Sequence, residues 1–113
     1  MPFIVFTTNQ KINPQQADKI KAETGSLITI LHKKEEVLMV QIDDDQKMYL
    51  GGLETPCMMI QVKVFHEIDF ELKKEFTEKL MKMIAAETPI ELNHIKLSFD
   101  EYEIWGKNGT LNR

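Results

Sequence analysis

Met58-Met59-Ile60-Gln61-Val62-Lys63-Val64-Phe65 is the stretch whose reading decides the fold. Met58, Ile60, Val62 and Val64 alternate with Met59, Gln61, Lys63 and Phe65, the period of a half-buried strand with two distinct faces. Asp69 then stands where a helix would be capped, and Leu72, Phe76, Leu80, Met83 and Ile84 recur at helical spacing until Pro89 stops the pattern. Ile95, Leu97 and Phe99 alternate with Lys96 and Ser98 in a further strand, and Glu103-Ile104-Trp105 is expected to extend its pairing. The same order precedes it. Phe3 to Thr8 is a β-branched and aromatic run. Asn13-Pro14 with Gln16 forms a capping-box-like helix start, and Ala17, Ile20, Thr24, Leu27, Ile28 and Leu31 make one buried stripe to about Leu31. Val37 to Ile42 reads as the returning strand, with a short strand expected over Lys47 to Leu50 before the Gly51-Gly52 turn. Strand–helix–strand therefore occurs twice, with Ile4 matching Ile60. Each unit requires a right-handed crossover between parallel strands. The predicted fold is α/β (α+β): one domain over residues 1–113, with a four-stranded mixed sheet carrying two helices on one face.

Composition fits that reading and removes several functions. The chain has 113 residues, 42% hydrophobic and 28% charged, which places it among globular rather than disordered chains. A chain of this length buries roughly 65% of its unfolded surface, enough for one core without staples. The net charge of −4 and the lack of a basic stripe argue against nucleic acid as a partner. A single cysteine, Cys57, excludes an internal disulfide framework. Apolar runs such as Ile4-Val5-Phe6 are too short to span a bilayer, so no membrane partner is expected. No signal-peptide pattern opens the chain, which makes the cytosol the default compartment.

Two helices leave one sheet face bare, yet Phe3, Val5, Met39, Met59 and Phe65 fall on it. Association through that face is the natural remedy, and a homo-oligomer is expected.

The chain resembles the tautomerase superfamily, and within it the macrophage migration inhibitory factor and D-dopachrome tautomerase branch. The residues that carry the resemblance are Met1-Pro2 before an apolar strand and Thr8-Asn9, and Lys33 just after the first helix. To these add Gly51-Gly52 with Glu54-Thr55-Pro56-Cys57, then Trp105 and Asn108-Gly109-Thr110. It implies a homotrimer with a site at each subunit interface. It also implies a keto–enol isomerase acting on phenylpyruvate or a small anionic 2-keto acid, with no metal or organic cofactor. By the resemblance Pro2 is the acid–base residue and Lys33 holds the substrate carboxylate. Phe65 supplies an apolar wall, Trp105 and Lys107 lie in the late aromatic segment, and Lys96 and Ser98 reach the site from a neighbouring subunit. The same resemblance carries a competing expectation: a non-catalytic, cytokine-like trimer that binds a cell-surface receptor and is exported without a signal peptide.

The acid–base role of Pro2 has a physical basis. Loss of Met1 leaves a free secondary amine at the start of the chain. An α-amino group titrates near about 7.7–8.0, and burial or a nearby cation lowers that value further. A modest shift therefore makes a base that works at neutral pH.

The chain departs from the family pattern at the late strand. Lys96 and Ser98 stand where a Tyr and an Asn are usual, on the side of the strand opposite Ile95 and Leu97. Trp105 comes two residues early, and the ending reads Lys107-Asn108-Gly109-Thr110-Leu111. Together Lys33, Lys96 and Lys107 favour a small doubly anionic keto acid over phenylpyruvate. Ile60 occupies the second position of the family's Cys pair, so thiol–disulfide activity is not expected and Cys57 reads as a packing residue. His32, His66 and His94 lack metal-site spacing, and Asp43-Asp44-Asp45 is an acidic turn.

Overall fold

A computed structural model describes residues 2–113. Met1, on whose removal the reading of Pro2 depends, lies outside the described residues. The elements in chain order are β1 (Phe3–Thr8), α1 (Pro14–Leu27), β2 (Met39–Asp43), β3 (Met58–Phe65), α2 (Phe70–Glu87), β4 (Ile95–Tyr102), β5 (Trp105–Lys107) and β6 (Thr110–Asn112). Four strands form one mixed sheet in the order β2-β1-β3-β4. β1 runs parallel to β2 and β3 parallel to β4, while β1 and β3 are antiparallel, with Ile4 opposite Val62 and Phe6 opposite Ile60. The two β-α-β units thus meet through their first strands. β5 and β6 form a separate hairpin.

Both helices pack on the face built from Ile4, Phe6, Met58, Ile60, Val62, Val64 and Ile95. Ile20, Ile28 and Leu31 from the first unit, and Phe76, Leu80 and Ile84 from α2, close this core. α1 starts as its sequence dictates. The Asn13 side chain accepts from the Gln16 amide at 2.7 Å, and the Gln16 side chain accepts from the Asn13 amide at 2.9 Å. Asn9 and Thr8 tie the end of β1 to the start of β3. Asn9 Nδ2 donates to the Thr55 carbonyl at 2.8 Å, Asn9 Oδ1 accepts from the Cys57 amide at 3.1 Å, and Thr8 Oγ1 donates to the Cys57 carbonyl at 2.7 Å. Cys57 is buried in this joint, as a packing residue would be.

Local boundaries depart from the sequence reading where backbone geometry overrides side-chain pattern. α1 ends at Leu27, and Ile28–Leu31 tightens into a 3-10 turn closed by His32 in the left-handed region, φ 59°. Glu35–Val37 is likewise a 3-10 turn, so β2 begins at Met39 rather than Val37. No strand forms over Lys47 to Leu50. Leu50 instead bridges to Leu53 across Gly51 and Gly52, both at positive φ. Asp69 precedes α2 without a side-chain hydrogen bond to it. Glu103-Ile104-Trp105 does not extend β4: the chain turns, and Trp105 pairs with Asn112 in the hairpin. That hairpin turns on Asn108 (φ 53°) and Gly109 (φ 75°), the two successive left-handed residues of a type I′ turn.

The bare sheet face is mixed in character. Met39 is 61% exposed, whereas Val5 and Phe65 are buried by their neighbours within one chain. Lys63 and Asp100 pair across this face at 3.2 Å, and the hydrogen bond to Asp100 raises the Lys63 pKa. Neither helix is long and apolar enough to cross a membrane.

Candidate active site

Pro2 enters the structure at the end of the sheet where β3 finishes. Phe3 pairs with Lys63, so Pro2 lies one step further, level with Val64 and next to Phe65. It is buried, and its carbonyl accepts the Met39 amide at 3.0 Å, which fixes it between β2 and β3. Lys33 arrives at the same end because the left-handed His32 turns the chain out of the first helical segment. Its Nζ donates to the Phe65 carbonyl at 3.4 Å, and its side chain is half-buried. A cation and the residue that precedes β1 therefore converge on Phe65.

The β5–β6 hairpin supplies the rest of the wall. The Trp105 ring lies nearly parallel to Phe65, with centroids 6.5 Å apart and planes at 21°. Lys107 Nζ sits 5.3 Å above the Phe65 ring centroid, within cation–π range. Pro2, Lys33, Phe65, Trp105 and Lys107 thus gather at one end of one chain.

Lys96 and Ser98 do not join them. They pair with Met59 and Gln61 on β3, six and four residues short of Phe65. At about 3.3 Å per residue Lys96 is on the order of 20 Å away along the strand. Its Nζ donates to the Asn93 carbonyl at 3.4 Å. Within one subunit these two residues cannot serve the site.

Two neighbours escaped the sequence reading. His66 follows Phe65 in the left-handed region, φ 72°, and its ring lies 3.7 Å from that of Phe65, centroid to centroid. Tyr102 pairs with Phe65 in register, and its ring lies 5.6 Å from Trp105. The signal for Tyr102 was the parallel pairing of the two late strands, which carries the register from Ile95 to Tyr102. His66 had no signal beyond its place after Phe65.

The turn between β3 and α2 is clamped to the end of β4, which holds Phe65 in place. The His66 amide donates to the Tyr102 carbonyl at 2.7 Å. Glu101 Oε2 accepts from the Ile68 amide at 2.7 Å and from Lys73 Nζ at 3.1 Å. The Ile68 amide, and after it the Lys73 ammonium, hold the Glu101 carboxyl below the usual carboxylate range. A carboxyl whose folded pKa is depressed stabilises the fold above its ordinary value and loses that contribution as pH falls through the folded value. Glu101→Gln is therefore expected to cost about 1 kcal/mol at neutral pH, the worth of a partly exposed charged hydrogen bond. Urea unfolding should show this gap closing as pH falls below the ordinary carboxylate range; a gap independent of pH would overturn the assignment. Among the described residues no group of three His, Cys, Asp or Glu side chains is placed to hold a metal ion.

The sequence matches the macrophage migration inhibitory factor (MIF) family over residues 1–112. The chain belongs to the MIF family. It is 26% identical to the macrophage migration inhibitory factor homolog of Brugia malayi over 103 residues, 91% of this chain and 90% of that protein. Leishmania major MIF2 shares the fold with a TM-score of 0.91 at 21% identity, covering 99% of this chain and 97% of the other. A protein named Pt0534, solved after inactivation by 2-oxo-3-pentynoate, superposes with a TM-score of 0.78 at 10% identity, over 88% of this chain and 85% of its own. These likenesses account for the two β-α-β units and the helix-covered sheet described above.

Proposed function

We propose that this MIF-family chain is a keto–enol tautomerase for small 2-keto acids, active as a homotrimer and using the nitrogen of Pro2, freed by loss of Met1, as its acid–base group. The observation that carries the reading is the convergence of Pro2, Lys33 and Phe65 at one sheet end, with the Lys33 ammonium 3.4 Å from the Phe65 carbonyl. Lys33 binds the carboxylate beside the keto group. The Pro2 nitrogen takes a proton from the adjacent carbon; the C–H electron pair becomes the new C=C bond, and the carbonyl π pair moves to oxygen. Pro2 then returns the proton to that oxygen, so the reaction is balanced without a redox partner. Phe65 and Trp105 give this end of the sheet an apolar side, and an apolar surface favours the neutral form of an amine placed against it. The inactivation of Pt0534, a protein of this fold, by a 2-keto acid derivative agrees with this substrate class.

A trimer meets two needs at once. It covers the bare sheet face that exposes Met39. It also gives Lys96 and Ser98 a route to the site of a neighbouring subunit, the only one open to residues so distant in their own chain. The test is the interconversion of keto and enol phenylpyruvate by the Met1-free protein and by Pro2→Gly. Glycine keeps an amine but loses the ring that fixes its direction, so a loss of about tenfold or more is expected with the oligomer intact. A Met1-free protein without turnover on this acid or on oxaloacetate would overturn the proposal and favour a receptor-binding trimer.

A further inference from the structure

We infer that the site selects 2-keto acids carrying a second carboxylate, with Lys33 taking the carboxylate beside the keto group and Lys107 the distal one. This rests on the tautomerase reading above. Four lysines of the chain are half-buried: Lys33, Lys63, Lys73 and Lys107. Lys63 pairs with Asp100 at 3.2 Å, and Lys73 with Glu101 at 3.1 Å. Lys33 and Lys107 have no carboxylate within 4.0 Å among the described residues, and both converge on Phe65.

A partly desolvated ammonium without a counter-charge is unfavourable, and two near one another are more so. In a chain of net charge −4, acidic side chains are plentiful, yet among the described residues the one at the end of β4, Glu101, is taken by Lys73 and none pairs with Lys33 or Lys107. The Phe65 carbonyl and the Phe65 ring orient the two cations but cancel neither charge. A dianion cancels both, and its reach between two carboxylates suits cations placed on opposite ends of a single phenylalanine.

The aromatic wall points the same way. Phe65 and Trp105 lie nearly parallel with centroids 6.5 Å apart. A third ring stacked between them needs about 7 Å, two contacts of about 3.5 Å each. The pair is closed on itself and offers no slot for the phenyl group of an aromatic keto acid. Lys107 is thus a specificity-determining residue, carried on the hairpin rather than on the sheet.

The experiment compares kcat/KM for tautomerisation of oxaloacetate and of phenylpyruvate in the Met1-free protein, Lys107→Met and Lys107→Arg. The unmodified protein should prefer oxaloacetate by about tenfold or more. Lys107→Met should lower that ratio by about tenfold or more, chiefly through KM for oxaloacetate, and Lys107→Arg should restore most of it. Melting temperatures of both variants separate a lost contact from a lost fold. Turnover of both acids with a ratio unmoved by Lys107→Met, or a preference for phenylpyruvate in the unmodified protein, overturns this inference and leaves the tautomerase reading standing. Turnover of neither acid overturns both.

Discussion

Extension of the chain ahead of Pro2, by retained Met1 or by any added residue, is expected to lower tautomerase kcat/KM by about 100- to 10,000-fold. The nitrogen then belongs to a tertiary amide whose lone pair is delocalised into the carbonyl, and it can neither accept nor donate a proton. No other amine replaces it: the Lys33 ammonium, held at the Phe65 carbonyl, is placed to bind an anion. Pro2 is buried and tied through its carbonyl to Met39, so its nitrogen cannot be exchanged for another group by a simple shift of the strand. The measurement is a comparison of two preparations, one processed and one extended, with intact mass defining each. Equal turnover by the two would remove Pro2 from the mechanism. Circular dichroism should show the two folded alike, because the core is closed by the strands and the two helices.

The largest stability effect is expected at Phe76. Its ring is fully buried between α2 and the sheet and meets Phe99 edge-on, with centroids 6.2 Å apart and planes at 64°. Phe76→Ala removes that contact and leaves a cavity that the flanking Leu80 and Ile84, themselves fully buried, cannot fill. The cost is about 3–5 kcal/mol, a large share of the roughly 5–15 kcal/mol that holds a domain together. Denaturant unfolding at fixed protein concentration gives the number and keeps any contribution of subunit association constant. A loss below about 1.5 kcal/mol would mean that the core relaxes into the gap. Leu72, half-buried one turn earlier on the same stripe, should cost less.

The strand pattern of Met58–Phe65 was enough to place the sheet, because every second residue of that strand is buried against the helices. The Asn13–Gln16 cap could also be read directly, since its two hydrogen bonds are local and depend on residue type alone. Legibility failed where the chain is not committed to the core. β2 is an edge strand whose Met39 and Gln41 are exposed, so its pattern did not mark where it begins. The tightening after Leu27 closes on a left-handed residue five positions beyond the last residue of α1, and nothing in His32 announces it. The site divided in the same way. Pro2, Lys33 and Phe65 lie at element ends that the repeat fixes, and the fold brings them together. Lys96 and Ser98 share a strand face but belong to the far end of it, so their part in any site depends on a second subunit and not on this chain's own topology.

Trp105 and Lys107 hang from a hairpin that turns on Asn108 and Gly109 and pairs with no strand of the main sheet. The groups we propose to discriminate among ligands are therefore uncoupled from those that maintain the scaffold. Substitutions in this appendage can retune what is accepted without taxing the core, whereas an equivalent change at Phe65 must be absorbed by the central layer. Variation among close relatives should accordingly concentrate in residues 105–112, and grafting that octapeptide is the most economical way to transplant selectivity.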